Sequence, residues 1–168
     1  GLWLDKDLKW STNGGISYGQ NREVNYMTLR NKQVPIKSNG EFLHSNTGGF
    51  FQVNYRPAIK TIHTFGVGYT YENIADTVLK LNPSFSSSAN TIQYPELFYK
   101  LSYFDVDYIP YPTRGFMGEA SLKRKGLGMK SSVNLWELTA KASQTWPLSS
   151  KSFFNLRATG MVKLPFAQ

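Results

Sequence analysis

Residues 61–72 read TIHTFGVGYTYE. Phe65, Val67, Tyr69 and Tyr71 take every second position, and Thr64, Gly66, Gly68 and Thr70 fill the places between. Successive side chains of a strand point to opposite faces, so this stretch is a strand with one apolar and one small, polar face. The same period continues on both sides. Upstream, Phe51, Val53 and Tyr55 alternate with Gln52, Asn54 and Arg56, and a weaker row runs from Leu8 through Trp10, Thr12, Gly14, Ile16 and Tyr18. Downstream, Leu97, Tyr99, Leu101 and Tyr103 oppose Lys100 and Ser102, with Phe98 and Phe104 intruding on the second face. Phe116, Gly118, Ala120 and Leu122 oppose Glu119, Ser121 and Lys123; Trp136, Leu138, Ala140 and Ala142 oppose Glu137, Thr139 and Lys141. Phe154, Leu156, Ala158, Gly160, Val162 and Leu164 oppose Asn155, Arg157, Thr159 and Lys163. No segment shows a helical period. The expectation is an all-β, antiparallel chain.

Alternation alone fits two architectures: a soluble sandwich, such as a carbohydrate-binding module, and a transmembrane barrel. Strand length separates them. Several rows run for about ten to fourteen residues, whereas soluble strands average about five or six. Whole charges stand in mid-strand at Lys100, Glu119, Lys141 and Arg157. On a lipid face a lysine or arginine at mid-depth costs roughly 2–4 kcal/mol, so these four are expected to face a polar lumen.

Connection lengths also alternate. Strand 46–56 reaches strand 61–72 through Pro57-Ala58-Ile59-Lys60, with Pro57 suited to a tight turn. Residues 73–94 then form a long link rich in Ser and Asn, 107–113 a short one, 125–132 a longer one, and 147–150, starting at Pro147, a short one. The region 21–45 reads as an excursion carrying its own hairpin. Outer-membrane barrels pair short periplasmic turns with longer external loops.

Aromatic residues mark the strand ends. Trp136 and Trp146 share a face, and ten residues at ~3.3 Å rise and a tilt of ~40° span ~25 Å along the membrane normal. That matches the apolar band between two aromatic girdles, for which Trp136, Trp146, Tyr55, Tyr71 and Tyr103 are the candidates.

Composition narrows the remaining classes. The 168 residues carry a formal charge of +8, 15% aromatics, 18% charged residues and no Cys. So many rings exclude a charged disordered tail, and the absence of Cys excludes a disulfide scaffold or thiolate chemistry. With a mean hydropathy of −0.38 and no apolar run near ~18 residues, helical membrane spans are excluded. His44 and His63 lack spaced co-ligands, no Gly-x-Ser-x-Gly elbow occurs, and Gly126-Leu127-Gly128 is too short for a nucleotide loop. Asp105 and Asp107 read as a turn-capping pair rather than a metal site. No catalytic, cofactor or metal residue is expected, and the chain is read as a non-enzyme. Lys123-Arg124-Lys125 is a candidate contact for lipid phosphates, against the plainer reading of solvated loop charge. The chain opens on Gly1 and closes on Gln168 with no leader or stop signal, so a piece of a longer protein is expected.

Several motifs resemble one family. DVDYIPYPTRGF at 105–116 places an acidic pair at a strand end and Pro-Thr-Arg-Gly before the next strand. It resembles a turn of the bacterial surface-antigen barrels, the family of the outer-membrane assembly factors BamA and TamA. Asn73-Ile74-Ala75-Asp76-Thr77, Leu81-Asn82-Pro83, SYGQNREV at 17–24 and the closing LPFAQ at 164–168 are similar to Bacteroidetes relatives. The resemblance implies a transmembrane β-barrel of 16 strands, of which residues 1–168 would supply seven or eight meandering strands. It implies residence in the bacterial outer membrane, and a role in inserting outer-membrane proteins or translocating a passenger. The implied partners are membrane lipid, unfolded barrel clients and accessory assembly subunits, with no cofactor and no nucleic acid. A small pore or adhesion barrel is the nearest alternative.

Overall fold

The computed structural model describes residues 1–85, 90–127, 131 and 133–166. Gly128, Ser132, Ala167 and Gln168, which figure in the sequence reading, lie outside these. Among the described residues the strands are β1 (Leu2–Trp3), β2 (Trp10–Asn21), β3 (Glu23–Leu29), β4 (Lys32–Lys37), β5 (His44–Ala58), β6 (Thr61–Ile74), β7 (Thr91–Val106), β8 (Gly115–Lys125), β9 (Leu135–Pro147) and β10 (Phe153–Pro165). Eight of them form one antiparallel sheet in the order β1-β2-β5-β6-β7-β8-β9-β10, while β3 and β4 pair with each other. Apart from that inserted hairpin the sheet is a meander. It is open among the described residues, with β1 and β10 at its edges.

Each expected strand of the large sheet is present and most are longer by a few residues, but the row expected from Leu8 begins at Trp10, with Leu8 in a bend at φ +54°. Two short elements went unforeseen: the two-residue strand β1, and a helix, α1 (Asp76–Leu81), followed by a 3-10 turn at Pro83–Phe85. Six residues are under two turns, too few to print a helical period. The β5–β6 turn also differs from expectation. Ala58 pairs with Thr61, so Ile59 and Lys60 make the turn, and Pro57 sits in a register shift between Tyr55 and Ala58. A bulge is one of the few strand positions that tolerates a missing N–H.

Between Gly14 and Leu164 and between Thr12 and Val162, register carries the apolar rows across the sheet without a slip; the shift at Pro57 lies beyond them. Gly14, Phe51, Val67, Leu97, Arg124, Trp136 and Leu164 are successive partners on seven strands. Thr12, Val53, Phe65, Tyr99, Leu122, Leu138 and Val162 form the next line. A slip of one residue on any strand would exchange its two faces, so these matching rows define the register.

The sheet curls towards its other, charged face. Phe50 of β5, Phe98 of β7, Lys141 of β9 and Met161 of β10 line a single concavity of about 550 Å³. On a flat sheet β5 and β10 would stand about 24 Å apart. Gly66 lets the wall close up, because the Phe98 ring covers the place where a Cβ would stand.

Among the described residues a conventional core is found at the end with the long connections. Leu43, Ile74 and Val78 are buried there, against Val24, Tyr26 and Ile36 of the hairpin and Ala75, Leu79 and Ile92. Asn82 ties this cap together by donating to the Tyr26 carbonyl at 2.6 Å. At the opposite end Asp107 organises the β7–β8 turn. Its carboxylate accepts from the amides of Tyr108, Thr113 and Arg114 at 3.0, 3.0 and 3.2 Å, and from the Thr113 hydroxyl. Gly115 follows at φ +109°, a backbone region that side chains avoid.

The hydroxyl of Thr113, followed by these amides, holds the Asp107 carboxyl down to about 2. A depressed acid stabilises the fold above its ordinary pKa and loses that contribution as the pH falls through the folded value. Hydrogen-exchange protection of the Thr113 and Arg114 amides is therefore expected to fade from about pH 4 down to about pH 2. In Asp107→Ala that protection should be low at every pH; unchanged protection would contradict this account of the turn.

Candidate functional site

The two faces of the eight-stranded sheet are the features with functional content. The apolar face is open: Val67, Leu138 and Leu156 are 49%, 50% and 57% exposed, and Ile16 is 95% exposed. The charged face contains the enclosed residues, with Thr64 and Thr145 each 2% exposed and Ser102 and Ser143 also buried. This reverses the arrangement of a water-soluble sheet, where apolar side chains are the ones removed from solvent.

On the charged face, glutamates alternate with lysines across neighbouring strands. Glu119 of β8 lies 3.1 Å from Lys141 and 3.9 Å from Lys100. Glu137 of β9 lies 3.3 Å from Lys125 and 3.9 Å from Lys163. Glu96 lies 3.8 Å from Lys123. Of the four charges expected to share an interior, Lys100, Glu119 and Lys141 form one cluster. Arg157 lines an adjoining concavity with Phe104, Glu119 and Lys141. Glu137, the most enclosed carboxylate, did not stand out in the sequence, because its significance depends on two strands converging on it. On β7–β10 six basic groups meet three acidic ones, which gives this face a positive potential.

All five girdle candidates lie on the apolar face. Trp136 and Tyr71 stand near the long connections; Tyr55, Tyr103 and Trp146 stand near the short turns. The short-turn end bears a chain of ring contacts from strand to strand. Trp10 stacks on Tyr55 at 4.4 Å, and Tyr55 and Tyr99 each lie 6.1 Å from His63. Further along, Tyr103 meets Phe116 at 6.2 Å and Trp146 meets Phe154 at 5.7 Å. His63 Nδ1 and the Tyr99 hydroxyl are 2.9 Å apart, so this histidine belongs to the ring ladder. Trp10 and His63 were missing from the sequence-based girdle, since only register shows that they share its level.

The basic triplet divides between the faces. Lys123 and Lys125 lie on the charged face in ion pairs, and Arg124 lies on the apolar face. Asp105 pairs with Lys60 at 2.6 Å across neighbouring turns. Among the described residues no group of three or more His, Asp or Glu is placed to hold a metal ion. Neither a protein-family model, nor a curated protein, nor a solved structure matches this chain.

The ladder makes unequal demands on its two carboxylates. The Glu137 side chain is 9% exposed, against 33% for Glu119. Glu137→Gln is expected to lower stability by about 1–2 kcal/mol, because it leaves Lys125 enclosed without its counter-charge. Glu119→Gln should cost under about 1 kcal/mol, since its better-solvated lysines are screened. Equilibrium denaturant unfolding measures both; equal losses would show that enclosure does not grade the pairs.

Proposed function

We propose that this chain is wall of a bacterial outer-membrane β-barrel, with its apolar face towards lipid and its charged face towards an aqueous lumen. The observation that carries this reading is the reversed burial of the sheet. Phe51, Phe65, Val67, Leu97, Leu122, Leu138, Leu156 and Val162 all stand about half exposed. Completing their burial is worth about 6–12 kcal/mol together, comparable to the whole stability of a domain. Hydrocarbon supplies that burial. A soluble sandwich would need a second sheet on this face, and among the described residues the β3–β4 ribbon packs into the cap instead.

Strand length agrees with the same solvent. β5, β6, β7, β9 and β10 have 13–16 residues each, more than the ~9–11 that cross a bilayer at a tilt. The ion pairs of the opposite face fit a lumen, where lysine and glutamate meet water and each other. The short turns would face the periplasm and the capped, long connections the exterior.

Within that membrane setting, the order of short motifs supports a surface-antigen barrel of the BamA/TamA type, acting in insertion of outer-membrane proteins or passenger translocation without chemistry of its own. The cap built on Leu43, Ile74 and Val78 favours a second reading, an adhesion or pore barrel with structured external loops. Liposomes carrying the folded protein are expected to accelerate folding of a urea-unfolded outer-membrane client severalfold over empty liposomes. Failure to accelerate, together with ion conductance across a planar bilayer, would contradict the assembly role and favour the second reading.

A further inference from the structure

Across the described strand positions of the large sheet, the apolar face carries a single lysine or arginine, Arg124 of β8. Every other basic residue within β7–β10 lies on the charged face. Arg124 is not there for want of a partner elsewhere, since Lys123 and Lys125 on either side of it reach Glu96 and Glu137. Its guanidinium carbon lies 5.5 Å from the ring centre of Trp136 and 5.0 Å from that of Phe166. Nη2 donates to the Asn134 side-chain oxygen. Nη1 is closed off from water and meets no acceptor among the described residues. Among the described residues the group is held by two rings and one side-chain hydrogen bond, and one donor stays unspent.

An apolar trough of about 710 Å³ runs from Arg124 towards the middle of the sheet, lined by Val53, Phe65, Val67, Leu97 and Leu122. Arg124 stands at its end nearest the long connections, beside Leu127. The trough therefore pairs a hydrocarbon surface with one fixed cation. That is the complement of an amphiphile with an anionic head. Arginine suits the head: its planar fork stacks on rings while still offering donors to a phosphate.

We propose that Arg124 and this trough seat one phosphate-bearing lipid of the leaflet at the long-connection end. The phosphate rests on the guanidinium and an acyl tail lies in the trough. This rests on the membrane reading given above. Lys123 and Lys125 take no part, although they adjoin Arg124 in sequence.

The test is native mass spectrometry of the full chain, folded in detergent and titrated with three probes: phosphatidic acid, diacylglycerol with the same tails, and inorganic phosphate. Phosphatidic acid should bind, diacylglycerol should bind far more weakly, and inorganic phosphate should neither bind nor displace the lipid. Arg124→Gln should weaken phosphatidic acid by roughly tenfold or more. Arg124→Lys, which keeps the charge and loses the fork, should fall between. The double variant Lys123→Gln/Lys125→Gln should bind as the parent does. Circular dichroism confirms the folded state of each variant. Unchanged binding by Arg124→Gln, an equal loss in the double variant, or displacement by inorganic phosphate would overturn the lipid site. A chain that stays folded and monomeric without any amphiphile would instead overturn the membrane reading beneath it.

Discussion

The structure depends on which side of its large sheet is covered and which is left open. Eight strands present a continuous apolar surface that nothing in the described chain covers, and they gather their charges on the concave side. In water that arrangement forfeits most of the driving force of folding. Against hydrocarbon it becomes favourable, and the charges then need each other. The lysine–glutamate ladder is the answer on the concave side, because Glu119 and Glu137 each stand between lysines of the two adjacent strands. On the proposed membrane reading the two faces are one device: the apolar row meets hydrocarbon, and the concave side keeps the charges out of it.

The ends of the strands solve a different problem. There the backbone must turn back in water or at an interface. At one end, Asp107 satisfies three amides and a hydroxyl in a single turn. Rings along the same border stack from strand to strand, each with an apolar body and, in Tyr, Trp and His, a polar edge. At the other end lies the packed apolar core of the described residues, where hairpin, helix and strand ends meet. A small core at the strand ends is what remains when the middle of the described sheet buries nothing apolar.

The rows of alternating residues were legible in the sequence, and so was the face to which each girdle candidate belongs. Period two is a strong signal when it recurs over long stretches, and here the rows of adjacent strands also coincide in register. Several features escaped. Helix α1 is too short to have a period and is held by burying Val78. Pro57 resembles a turn residue but occupies a bulge, a distinction set by cross-strand pairing. Lys123, Arg124 and Lys125 read as one patch, although the alternation already required them to part, with Arg124 following Leu122 to the apolar side. Contiguous charge in a strand is not contiguous charge in space.

The most direct test of this account exploits the absence of cysteine from the chain. Single cysteines replacing Leu138, Leu156, Lys141 and Arg157 can each carry a fluorophore, in protein folded into vesicles whose acyl tails bear a nitroxide quencher. Positions 138 and 156 should be strongly quenched, and 141 and 157 should be spared. Equal quenching at all four, or quenching confined to 141 and 157, would show that the sheet does not face its solvents in this way.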